Sequence, residues 1–297
     1  MEQLETCPCC GGNNFQLYLV AKDSYSSESF NLVKCTSCGF VFTNPRPDNQ
    51  EIGHYYDSPD YISHNSYSKG LVQTIYRFAR KYMMRKKLSL IQNITGRQEN
   101  FSLLDFGCGT GDFLGFVKHH HIIAEGVEPD HHSREIAKSV NHVETYSIEA
   151  SANIESEKFD VITLWHVLEH VHELHTQLEY FNKWLKKDGM ILIAVPNIES
   201  YDAKKYGKYW DAIDVPRHIY HFSPKNIKQI ATQHNFIFQS QYPLFLDAFY
   251  ISMRSEWHKG TGKFLSFLNA VFTGFMSNFK ARKNLNYSSL IYVFKKG

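Results

Sequence analysis

Residues 103–113 read LLDFGCGTGDF. The apolar run Phe101, Leu103 and Leu104 leads into Asp105 in the manner of a buried strand of a parallel sheet. Gly107, Gly109 and Gly111 then alternate, so the backbone can turn tightly and approach a ligand with no Cβ in the way. Asp112 and the apolar FLGFV run open a helix. Strand, glycine turn and helix form a nucleotide-binding element. The dinucleotide fingerprint GxGxxG requires a glycine at 112, where this chain has Asp112. A second strand begins at Ile122, Ile123 and Ala124 and ends in GVE at Glu128. Glu128 lies about twenty residues beyond the first strand, where such folds place the acid that binds a ribose diol. A carboxylate suits the position because it accepts both hydroxyl hydrogens.

From residue 101 strands and helices alternate. Strands are expected at Ser102–Phe106, Ile122–Val127, Asn141–Glu144, Asp160–Leu164, Met190–Val195, Phe236–Gln241 and Ser289–Phe294. Helices are expected at Asp112–His120, Asp130–Ser139, Leu174–Leu185 and Pro224–Asn235. This order implies an α/β, doubly wound, mostly parallel sheet. Residues 159–171 read FDVITLWHVLEHV, a buried strand with Trp165 and His166 at its end, above the edge where ligands bind.

The acidic-x-GxGxG pattern resembles motif I of the class I S-adenosylmethionine-dependent methyltransferases. The VLEH string resembles that of small-molecule members of the family, including those acting on quinone precursors. The resemblance implies a seven-stranded Rossmann-like sheet with its last strand antiparallel. It implies S-adenosylmethionine as cofactor, held by Asp105, Gly107, Cys108, Gly109, Gly111, Glu128, Trp165 and His166. The chain lacks the [DNS]PP[YF] element of enzymes that methylate base amino groups. It has no cysteine after Cys108 to serve as a C5-methyltransferase nucleophile.

Residues 209–224, YWDAIDVPRHIYHFSP, form a loop dense in polar groups between the fifth strand and a helix that starts at Ser223-Pro224. A similar W…D.PRH..HFS block occurs in a related group of bacterial methyltransferases. Its polar residues either bind ligand or pin the loop internally. If the acceptor is a hydroxyl, a base must take its proton during attack. The candidates are His170 and His218, with His166 behind them.

Five of six cysteines fall in the first 38 residues. Cys7 and Cys10, then Cys35 and Cys38, form two CxxCG knuckles, whose four sulfurs suit a tetrahedral structural Zn²⁺ site. Cys9 is the spare. Alternating residues between the knuckles suit a hairpin, so the module reads as a small N-terminal zinc ribbon stabilised by metal. The expected divisions are a ribbon at 1–47, a linker and lead helix at 48–100, and the methyltransferase domain at 101–297, with an insertion at 243–286.

The tyrosine-rich stretch from Tyr55 to Tyr67 reads equally as a lid or a packed connector. In the lead helix, Leu71, Ile75, Phe78, Tyr82 and Leu88 fit one apolar stripe, with Arg77, Arg80, Lys81, Arg85, Lys86 and Lys87 on a solvated basic face. Residues 262–280 form a Phe-rich helix through Phe264, Leu268, Val271, Phe272, Phe275 and Phe279. Ordinary packing is its first reading; a dimer contact, a substrate wall and peripheral membrane contact are the others.

A net charge of +2 on 297 residues implies no strong nucleic-acid field. The expected partner is a small-molecule acceptor, methylated on oxygen or carbon: a sugar, a quinone-like or a lipid-linked metabolite. The alternatives are an RNA methyltransferase that uses the ribbon and basic helix, and a non-catalytic scaffold. The N-terminus lacks a basic region followed by an apolar one, so a cytoplasmic location is the expectation.

Overall fold

The computed structural model describes residues 1–56 and 71–297. A first sheet begins with strands β1 (Phe15–Lys22), β2 (Ser29–Cys35) and β3 (Val41–Thr43). A long helix α1 (Leu71–Thr95) leads into the main domain. There follow β4 (Ser102–Phe106), α2 (Asp112–Lys118), β5 (Ile123–Val127), α3 (His131–Ser139), β6 (Glu144–Tyr146) and α4 (Ile148–Ser151). Next come β7 (Phe159–Trp165), α5 (Leu174–Trp184), β8 (Leu185–Pro196), α6 (Tyr201–Tyr206), β9 (Tyr220–His221) and α7 (Pro224–Gln233). The chain ends with β10 (Phe236–Pro243), α8 (Asp247–His258), α9 (Lys263–Asn284) and β11 (Ser289–Lys296).

Seven strands form the main sheet in the order β10-β11-β8-β7-β4-β5-β6. The order reverses at β4, whose parallel neighbours are β5 and β7. Strand β11 runs antiparallel to both β8 and β10. Residues Ser102–Phe106 of β4 are all buried, as expected of a strand covered on both faces. The carboxyl ends of β4, β5, β7 and β8 therefore share one edge, where this architecture binds ligands.

The third strand of the main sheet differs from the sequence expectation. It lies at Glu144–Tyr146 rather than Asn141–Glu144. His142 adopts a positive φ of 53°, and the Asn141 amide donates to the Thr110 carbonyl, so these residues brace the glycine turn instead of extending the strand.

Helix α1 also differs. Leu88 and Ile91 are buried against the sheet, whereas Phe78 and Tyr82 of the expected stripe are exposed. The side chains of Leu71 and Ile75, and residues 57–67 of the tyrosine-rich stretch, lie outside the described residues.

The ribbon sheet has the order β1-β2-β3-β9. Its fourth strand comes from the 209–224 loop, with Val41 opposite His221 and Phe42 opposite Tyr220. Phe40 stacks on Tyr220 at 5.8 Å and lies 5.6 Å from Phe222. Cys7, Cys35, Phe40 and Phe42 join the same hydrophobic cluster as Leu104, Phe106, Ile162 and Phe181 of the main domain. One continuous core thus runs from the cysteine knuckles into the sheet.

The Phe-rich helix exists as expected, but its ordinary packing does not. Phe264, Leu268, Phe272, Phe275 and Phe279 are exposed, while Ser266, Ala270, Thr273, Gly274, Ser277 and Ala281 face inward. Helix α8, not recognised in the sequence, packs beside it. Its buried positions Ala248, Ile251, Ser252 and Ser255 include two serines, which blur the apolar period.

Candidate active site at the carboxyl edge of the sheet

The glycine turn follows β4 as a cradle. Gly107 has φ 75°, and a Cβ there would meet the Val167 side chain at 2.4 Å. Gly111, at φ 75°, is the N-cap of α2, and a Cβ would meet Ala137 at 2.9 Å. Both positions therefore demand glycine for conformation and for space. The Glu128 carboxylate follows β5 and accepts from the Gly109 and Asp130 backbone N–H groups. Each of its oxygens keeps a second lone pair for a ligand hydroxyl. Burial raises the Glu128 pKa.

Asp105 is buried at the end of β4 and accepts from the Thr163 hydroxyl. Burial raises its pKa to about 6, although that hydrogen bond and Lys87 act the other way. Lys87 does not belong to the solvated basic face. Its ammonium sits 4.2 Å from the centre of the Trp165 ring. Burial lowers its pKa to about 8 against the attraction of Asp105 and Asp247. Trp165 meets Phe113 edge-on. Cys108 forms no disulfide, and burial raises the pKa of its thiol.

Beside this cradle lies a cavity of 440 Å³, lined by Tyr25, His166, Pro196, Asp211, Ala212, Asp214, His218, Asp247, Tyr250, Ile251 and Arg254. A space of that volume suits a small molecule. Its walls come from the ribbon turn, the ends of β7 and β8, the 209–224 loop and helix α8. Sequence reasoning did not assign Tyr25, Asp247 or Arg254 to it.

The histidines separate by position. His166 follows β7 with φ 58°, and its Nε2 lies 3.1 Å from Asp247. Burial opposes its charge, but the hydrogen bond to Asp247 and the nearby negative charge of Glu169 reverse this and raise the pKa to about 10. His218 Nδ1 lies 2.8 Å from the Ala212 carbonyl and His170 Nδ1 2.9 Å from that of Arg217. A carbonyl only accepts, so each ring carries a hydrogen on Nδ1, and in its neutral form presents an Nε2 lone pair. The two rings meet edge-on at 4.6 Å. Burial, then His218, push the His170 pKa down to about 4.

Glu169 is the centre of this group. It is 1% exposed, and neither carboxylate oxygen has a hydrogen-bond partner among the described residues. Its Oε1 lies 3.5 Å from His166 Nδ1 and 3.9 Å from His218 Nε2. Burial works to raise its pKa, yet His166 and the other two histidines hold it below the usual range. Donor atoms of Glu169, His170 and His218 lie within 4.8 Å of one another. That set is chemically able to hold a proton or a divalent cation.

The polar 209–224 loop divides between the two roles its residues suggested. Trp210 donates to buried Asp202. Arg217 bridges Asp214, Asp23 and the Tyr55 carbonyl. These residues fix the loop, while Asp211, Asp214 and His218 reach the cavity.

At the other end of the ribbon, one ligand atom each from Cys7, Cys10, Cys35 and Cys38 lies within 4.8 Å of the others. Cys7 and Cys38 sulfurs are 3.6 Å apart, and those of Cys10 and Cys35 3.7 Å. A tetrahedron with zinc–sulfur bonds of about 2.3 Å has edges of about 3.8 Å. The donor set and spacing fit such an ion. Cys9 stands apart, against the Asn226 amide of α7.

A family model described as a methyltransferase domain matches residues 76–241, more than half of the chain. This chain belongs to the S-adenosylmethionine-dependent class I methyltransferases. The seven-stranded, mostly parallel sheet is the Rossmann-like sheet of that family. Its fold is similar to magnesium protoporphyrin IX methyltransferase from Synechocystis PCC 6803, a structure with bound SAH, at 12% identity and TM-score 0.54, covering 84% of this chain and 100% of that one. It is also similar to geranyl diphosphate C-methyltransferase from Streptomyces coelicolor A3(2), at 12% identity and TM-score 0.51, covering 78% and 87%. No curated protein matches the sequence.

Proposed function

We propose that this methyltransferase transfers a methyl group to oxygen or carbon of a small, hydroxyl-bearing acceptor, with His218 as the general base. Sugars, including lipid-linked ones, and quinone-like metabolites are the acceptor class. The carrying observation is the Glu169 carboxylate, without a hydrogen bond among the described residues and buried behind His218 and His166, which stand at the wall of the 440 Å³ cavity. The similar solved enzymes act on a porphyrin and on geranyl diphosphate, which supports a small-molecule acceptor.

S-adenosylmethionine supplies an electrophilic methyl group on sulfonium, so the protein has mainly to align the acceptor and manage one proton. Alignment alone is worth up to roughly 7–11 kcal/mol. Glu128 would hold the ribose diol, and the glycine turn would lie against the methionine portion. His218 presents a free Nε2, and a proton gained there lands beside the Glu169 charge. His166, whose pKa the two neighbouring acids raise, is less suited to be the base; it holds Glu169 and Asp247 in place. His170 is not part of the cavity wall and acts as a positioning residue against the His218 ring. Asp211, Asp214 and Asp247 offer acceptors to substrate hydroxyls.

Cys7, Cys10, Cys35 and Cys38 would hold a structural zinc ion, which organises the ribbon and through β3 the strand that follows His218. The testing experiment is radiolabelled methyl transfer over a panel of nucleotide sugars, quinols and polyprenyl-linked sugars. Turnover on one class that His218→Ala abolishes, with SAH affinity retained, is expected. Full turnover by His218→Ala would remove it as the base.

A further inference from the structure

Helix α9 presents its large apolar side chains outward and its small ones inward. Phe264, Leu268, Phe272, Phe275 and Phe279 recur every three or four residues, so they share one face. Phe264 is 77% exposed and Phe275 64%. The inner face is closed to them. Ser277 donates to buried Asp202, and a Cβ on Gly274 would meet the Phe249 ring at 2.4 Å. The helix therefore cannot roll to bury its phenylalanines. Tyr250 and Trp257 of the neighbouring α8 are exposed as well. An apolar strip this continuous marks an interaction surface.

Charge identifies the occupant. Residues 257–297 contain no Asp or Glu. Lys259 and Lys263 stand before the phenylalanine strip, and Lys280, Arg282 and Lys283 follow it. A two-fold-related copy would set this face against itself and bring cations onto cations with no acid in residues 257–297 to meet them; Glu256 is buried and pairs with Lys259 within the chain. A bilayer surface with anionic headgroups accepts both features, phenylalanines at the acyl boundary and lysines at the phosphates. The helix is about 33 Å long at 1.5 Å per residue. No described helix is long and apolar enough to cross a membrane, so the strip suits lying on the surface.

We propose that this chain docks on anionic membranes through the open face of α9, with the helix axis in the interfacial plane. Helix α8 of the same hairpin contributes Tyr250, Ile251 and Arg254 to the acceptor cavity, so docking would set that cavity near the lipid surface. The docking proposal stands independently of the acceptor assignment.

The test is flotation of the full-length protein with vesicles of phosphatidylcholine alone or mixed equally with phosphatidylglycerol. The wild type should float with the anionic vesicles. Phe272→Ser with Phe275→Ser should weaken this at least about tenfold, and Lys280→Glu with Lys283→Glu should erase the preference for anionic lipid. SAH binding by calorimetry should be unchanged in both variants, which separates lost docking from lost folding. Wild-type protein that stays with the unbound fraction, or phenylalanine variants that float equally well, would overturn the proposal. So would light scattering that shows a wild-type dimer dissolved by the same phenylalanine substitutions, since the occupant would then be a second copy.

Discussion

The guanidinium of Arg217 and the carboxylate of Asp23, 194 positions apart in sequence, form a buried ion pair at 2.7 Å. It ties the ribbon hairpin to the loop that delivers His218. Arg217 is also held by Asp214 and lies over the Tyr25 ring. Removing one partner of such a buried pair typically costs 3–5 kcal/mol. Because Asp214 remains, Asp23→Ala should destabilise by about 3 kcal/mol in urea unfolding, and kcat should fall as the His218 loop loosens. Unchanged stability would show that Asp214 alone satisfies Arg217.

Loss of zinc from the ribbon should reach the active site. Elemental analysis should find one zinc per chain, removed in Cys35→Ser. Each kcal/mol lost shifts Tm by about 2–4 °C in a domain of this size, so a fall of at least about 5 °C is expected. Methyl transfer should drop with it, because β9 completes the ribbon sheet beside His218. A Cys35→Ser variant with wild-type Tm would make the cluster dispensable.

The base assignment predicts a split between binding and turnover. His218→Ala should lower kcat by about 10²–10⁴ while SAH affinity stays within about threefold. Glu169→Gln should show a smaller loss and an altered pH–rate profile, since it acts through His218. His170→Gln should reduce kcat modestly. Equal losses in kcat and in SAH affinity for all three would instead indicate a collapsed site.

The glycine cradle predicts a failure of cofactor binding with two separable causes. Gly107→Ala meets Val167 at 2.4 Å and also places a side chain at φ 75°. SAH affinity should fall by at least about tenfold, and adding Val167→Ala should restore only part of it, because the backbone strain persists. Glu128→Ala should weaken SAH binding without altering Tm strongly. Calorimetry with SAH reads each case.

Stability should depend on pH in two opposite ways. The His166 pKa is raised from 6.5 to about 10 in the fold. Its contribution is therefore fully present below pH 6.5 and is lost as pH rises towards 10. The Tm difference between wild type and Asp247→Asn should be largest near pH 6 and shrink on the alkaline side. His170 and His221 are lowered to about 4 and about 3, each by burial first. They favour the fold above pH 6.5 and oppose it as pH falls towards those values. A His221→Gln variant that folds should show a flatter acid limb; an unchanged limb would assign acid sensitivity elsewhere.

Much of this was legible in the chain, and the reasons differ from residue to residue. The run to Asp105, the three glycines and Glu128 are local features, and strand, turn and helix follow from periodicity over a few residues. The cysteine spacing was equally readable, because two sulfurs on one turn need no distant information. Lys87 was not. Its neighbours made it part of a basic face, and only the packing of α1 against the sheet turns it over Trp165. Helix α8 escaped notice because Ser252 and Ser255 occupy buried positions.

The sequence alone determined the kind of protein: an α/β methyltransferase sheet with a glycine turn after its first strand, an acid at the end of the next and a cysteine ribbon. Those features rest on backbone geometry and short-range spacing, which neighbouring residues dictate. Tertiary structure decided the rest. It brought Asp23 to Arg217, buried the Glu169 carboxylate among three histidines, and turned the phenylalanines of α9 outward. Each depends on which face of an element meets a partner far away in the chain. A periodic pattern gives α9 a face of phenylalanines, but the tight contact between Gly274 and Phe249 decides that this face stays open.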